Sequence, residues 1–89
     1  MSIDKRWIQP FMEASWQMDA GETEKARQMY TALKQDMIAA GVSDVAVHMI
    51  ENCIEASYVQ DEINARKANG GDSSAIAELE KKKRAILRG

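Results

Sequence analysis

His48, Glu51 and Glu55 are the residues whose types and spacing come nearest to chemistry. On a helix, positions i, i+3 and i+7 share one face, and imidazole nitrogen beside carboxylate oxygen is a donor set that divalent metals use. The chain has one histidine, so a second helix would have to supply the remaining ligands. A solvated polar strip on a mostly buried helix accounts for the same spacing more simply. No metal or other cofactor is expected.

Cys53 is the one thiol, with His48 five residues before it. A thiol acts as a nucleophile only with a base at hand, and at about 100° per residue the two diverge by roughly 140° around a helix. Cys53 falls on an apolar face, where a free cysteine behaves as a small hydrophobe. Gly70-Gly71 stands before a helix, yet no phosphate-loop lysine follows at the required offset. One cysteine forbids zinc-finger spacing, and no Ser/His/Asp set is identifiable. These exclusions argue against an enzyme.

The strongest functional cue is the run Lys81-Lys82-Lys83-Arg84, with Arg88 beyond it. Clustered Lys and Arg are the footprint of phosphate binding. Basic residues also suit the C-terminal end of a helix dipole, and Glu78–Lys82 and Glu80–Arg84 are favourable i,i+4 pairs. A solvated helix face therefore explains most of the run. Lys83 is the exception, because it points into the middle of the stripe formed by Ile76, Leu79, Ile86 and Leu87. It either snorkels past the core or meets an acid across an interface.

Charge is unevenly placed. Residues 1–65 hold eleven acids and five bases, whereas residues 66–89 hold three acids and seven bases. An acidic body disfavours polyanions, and no aromatic residue interleaves the basic run. Trp16 lies at the edge of an apolar stripe, where it can face a partner, since Trp is enriched at interface hot spots. The six methionines fall mainly at helical core spacing, though Met also suits adaptable binding surfaces.

An all-α chain must position these residues. Helices are expected over about 4–20, 23–40, 44–68 and 74–88, giving three principal helices and a C-terminal basic helix in one small bundle. Asp4, Thr23, Ser43 and the Asp72-Ser73-Ser74 group supply caps, and Gly21, Gly41 and Asn69-Gly70-Gly71 supply stops. Pro10 either kinks the first helix or begins it after a separate turn. The stretch Val45 to Ala65 is apolar around most of its circumference, so it is expected to be central, with neighbours on several sides. Within it, Ile50 and Ile54 are expected to be buried.

Eighty-nine residues make one domain with a modest core. That size, with the apolar stripe of the last helix, suggests a homodimer. No apolar run approaches the roughly 20 residues that span a bilayer, and no membrane partner is expected. The N-terminus shows no apolar signal core, and a lone cysteine fits a reducing cytoplasm, of the producing cell or of an infected host. The expected function is non-enzymatic protein–protein recognition by a regulator, adaptor or inhibitor, of the kind mobile elements encode. Candidate partner-binding residues are Trp16, Glu51, Glu55, Glu62, Lys81, Lys82, Lys83 and Arg84. The alternative is a nucleic-acid-associated regulator that uses the basic last helix.

Overall fold

The computed structural model describes residues 5–89, so the expected cap at Asp4 lies outside the described residues. These residues form four helices and no strand: α1 (Lys5–Asp19), α2 (Thr23–Ala39), α3 (Asp44–Ala68) and α4 (Ser73–Arg88). Each follows from a stripe of apolar residues three or four apart, which only a helix gathers onto one side.

Glycines end the first two helices. Gly21 and Gly41 take φ values of 86° and 75°, a left-handed backbone that costs a residue with a Cβ. The following amides then close the chain back on the helix, Glu22 N on Gln17 O at 2.9 Å and Val42 N on Met37 O at 3.0 Å. This is the Schellman arrangement, and it supplies donors to carbonyls that the helix end leaves open.

The helix starts differ from expectation in one place. Thr23 is the first residue of α2, not its cap; Glu22 holds the cap position without a side-chain bond. The Thr23 hydroxyl donates instead to Asp61 on α3. Ser43 stands at the cap of α3, also without a side-chain bond. Asp72 does cap α4, accepting from Ser74 N at 3.0 Å. Pro10 sits inside α1 and does not begin it.

Packing is serial. α1 packs on α2, α2 on α3 and α3 on α4, and the molecule extends 44 × 22 × 17 Å. The main core joins Ala14 and Met18 of α1, Ala26, Tyr30, Leu33 and Met37 of α2, and Ile50, Cys53 and Ala56 of α3. Small Ala14, Ala26 and Ala56 lie fully buried where the helices come close. α4 buries no residue completely; Ile86 packs half-buried against the cluster.

α3 has neighbours in α2 and α4, but not along its whole length. It holds 25 residues against 16 in α4, about 37 Å against about 24 Å at the helical rise. Gly89, just past α4, comes level with Asn52. Among the described residues, the first two turns of α3 thus have no counterpart in α4 and project past it. Val45, expected within a largely covered apolar surface, is 82 % exposed for this reason, and Met49 stands open beside it. Ile50 is buried as expected, whereas Ile54 is only half-buried.

Candidate functional site

Where α3 projects, an apolar groove opens between it and α1. On α1, Trp7 and Phe11 are one turn apart and lean half-buried on the core, with Ile8 and Met12 one step further round. Leu33 and Met37 from the end of α2, and Ala46, Met49 and Ile50 from the start of α3, complete the trough. Its volume is about 660 Å³, and Arg6 is the one charged residue among those that line it. The Arg6 guanidinium lies over the Trp7 ring, 4.6 Å from its centroid, a cation–π contact at the groove mouth. Ser43 gives the lining its one side-chain hydroxyl, and no carboxylate, imidazole or thiol stands beside it there. It can take apolar side chains, and a groove of this size and chemistry is suited to doing so.

A polar cluster joins α2 to α3 on another side. Arg27 Nη1 lies 2.8 Å from Asp61 Oδ2 and 3.3 Å from Ser57 Oγ. The Thr23 hydroxyl also donates to Asp61, and the guanidinium stacks over Tyr58 at 4.4 Å. Ser57, fully buried, donates onward to the Ile54 carbonyl at 2.5 Å. Each partner is thereby satisfied, as buried polar groups must be. Periodicity alone places Arg27 opposite the stripe of Ala26, Tyr30, Leu33 and Met37, on the solvent face of α2. The available signal was a pair of polar i,i+4 doublets, Thr23/Arg27 and Ser57/Asp61, on consecutive helices.

The sequence-derived candidates are spread over three helices. Trp16 is 55 % exposed on α1, on the side turned away from the core stripe. Glu51, Glu55 and Glu62 are exposed on α3. Glu51 lies between Lys34 Nζ at 3.6 Å and His48 Nδ1 at 3.9 Å. Among the described residues, no group of three or more His, Cys, Asp or Glu could hold a metal ion. Lys81, Lys82 and Arg84 are exposed on α4, and Lys83 is half-buried. Lys83 Nζ donates to Gln60 Oε1 on α3 at 2.7 Å, so it meets an amide within the fold. The i,i+4 pairs expected inside α4 are absent among the described residues; Glu80 pairs with Lys67 of α3, at 3.9 Å.

Cys53 is buried and far from any role at the surface. Its thiol and the Tyr30 hydroxyl interact, and Tyr30 also shares a 2.7 Å hydrogen bond with Ser15. Burial pushes Cys53 above its ordinary 9.0 and Tyr30 above its ordinary 10.0, because the low-dielectric interior disfavours the anion. A raised acid is bound to its proton more tightly when folded. Its contribution to stability is therefore complete below the unfolded-state value and is lost as pH rises through the folded one. Stability should fall as pH is raised from 8 to 11, beginning near 9.0. Thermal melts across that range check this. Cys53→Ala should delay the fall, and an unchanged profile in that variant would remove the thiol from the account.

Among the described residues no helix is long and apolar enough to cross a membrane. No family model, curated protein or solved structure matches the chain.

Proposed function

We propose that the chain is a non-enzymatic protein–protein recognition module, acting in the cytoplasm as a regulator, adaptor or inhibitor of a macromolecular partner. The observation that carries this reading is the apolar groove between α1 and the projecting start of α3. Apolar surface left in water costs about 25 cal/mol per Å², so a partner that fills the trough with Leu-, Met- or Phe-like side chains is drawn to it. Met12 and Met49 on its two rims can repack around different shapes. The acidic strip of Glu51, Glu55 and Glu62 adds long-range attraction for a partner with a basic surround. In this reading the chain works as a small bundle with its basic C-terminal helix on the side of α3.

The test is affinity capture with the full chain and with a Met49→Glu variant, read by mass spectrometry. Met49 is exposed, so the variant keeps its fold while placing a charge in the trough. Affinity for the captured partner should fall at least about tenfold. Parent and variant capturing the same proteins with the same affinity would end the reading.

The exposure of Lys81, Lys82 and Arg84 favours a second reading, a nucleic-acid-associated regulator. Labelled duplex and single-stranded nucleic acid, titrated at low and moderate salt, separate the two. We expect no tight binding, and replacement of all three residues by Gln should cost only about a few tenths of a kcal/mol each in stability. Tight, salt-sensitive binding that is lost in the triple Gln variant would promote the second reading.

A further inference from the structure

α1 carries a second apolar stripe, about a third of a turn away from the one that faces the core. Ile8, Met12 and Trp16 are spaced i, i+4 and i+8, and they are 40 %, 39 % and 55 % exposed. At about 100° per residue, Lys5 and Asp19 fall on the same stripe, one at each end of the helix, and both are exposed. Met12 is midway between Ile8 and Trp16, and also midway between Lys5 and Asp19. The stripe is thus self-complementary under a two-fold rotation through Met12.

We propose that α1 pairs antiparallel with α1 of a second copy of this chain. The two Met12 side chains meet on the axis, Ile8 of each copy packs on Trp16 of the other, and Lys5 of each copy faces Asp19 of the other. The charges select the occupant. A stripe that is basic at one end and acidic at the other is matched by its own reversal, as an isologous interface requires. A parallel pairing would set lysine against lysine and aspartate against aspartate. The paired stripe is about 21 Å long at the helical rise. One helix pair buries less than the roughly 1,600 Å² of a standard interface, so the dimer is weak, dissociating at micromolar to high-micromolar concentration. It goes beyond the recognition reading and does not depend on what fills the groove, although Ile8 and Met12 also rim that groove.

Sedimentation equilibrium from low micromolar to high micromolar concentration tests it with four variants. Lys5→Glu and Asp19→Lys should each raise the dimer dissociation constant about tenfold, since each disrupts two symmetry-related pairs. The double variant Lys5→Glu/Asp19→Lys should restore the parent value, because the stripe is again matched to its own reversal. Met12→Glu, which puts two carboxylates on the axis, should raise the constant about a hundredfold. A parent chain that stays monomeric at high micromolar concentration would overturn the proposal. So would a dimer that the single charge reversals leave unchanged, or a double variant no better than the singles. In any of those cases a partner lost on Met49→Glu would still stand for the groove, so the two readings fail separately.

Discussion

Ile50→Ala is expected to lower the unfolding free energy by about 2–5 kcal/mol, the range for removing a buried branched side chain. Ile50 is 2 % exposed and is among the largest side chains buried this completely, with Tyr30 and Ile63. It sits where α3 meets Leu33 and Met37 of α2, so truncation leaves a cavity between two helices that cannot close without shifting. A domain of this size has only about 4–13 kcal/mol in total. The variant should therefore be partly unfolded at 37 °C, or close to it. Ile54→Ala, at a half-buried position, should cost less than half as much. Urea unfolding of the two variants decides it. Equal losses would mean that the two isoleucines are packed alike.

Asp61→Ala is the second change with a large expected effect, about 1–3 kcal/mol. The Arg27 side chain is 19 % exposed and Asp61 is 42 % exposed, so the guanidinium is mostly out of water while its carboxylate partner is half in it. Removing Asp61 leaves the Arg27 charge with only the longer Ser57 contact and the Tyr58 ring, and takes from the Thr23 hydroxyl its acceptor on α3. Lys34→Ala removes the solvated pair with Glu51 and should cost under about 0.5 kcal/mol. In the double variant Arg27→Met/Asp61→Leu no charge is left stranded, so the combined loss should fall short of the sum of the single losses by about 1 kcal/mol. Additive losses would show that Arg27 and Asp61 act independently.

The all-helical chain was legible because its signals are local. The i,i+3/i+4 stripe of Ala26, Tyr30, Leu33 and Met37 becomes the core face of α2, and Gly21 and Gly41 end helices where only glycine takes the backbone comfortably. What could not be seen depends on a second helix. Hydropathy sorts Arg27 to the solvent side because it contains nothing about Asp61 across the interface. Thr23 looks like a cap because local hydrogen bonding favours it there, and a carboxylate from α3 outcompetes that use. Val45 looks buried because the wheel of α3 does not show where α4 stops. The groove has no signature of its own, since it is the space left when helices of unequal length pack in series. The spacing of α1 sets Ile8, Met12 and Trp16 beside the stripe of Trp7, Phe11, Ala14 and Met18, but spacing alone does not show that no helix of the chain covers them.

The serial packing of the helices has a kinetic consequence. When each helix docks chiefly on its neighbours in sequence, almost every native contact joins segments separated by one short turn. Chains of such low contact order lose little loop entropy before contacts form, and they fold in microseconds to milliseconds. A nascent chain would have the partner of each new helix already in place as that helix emerges. α1 and α2 can dock while α4 is still unsynthesised, and α4, which follows the other three helices and has no fully buried residue, is the helix whose amides should exchange with solvent first.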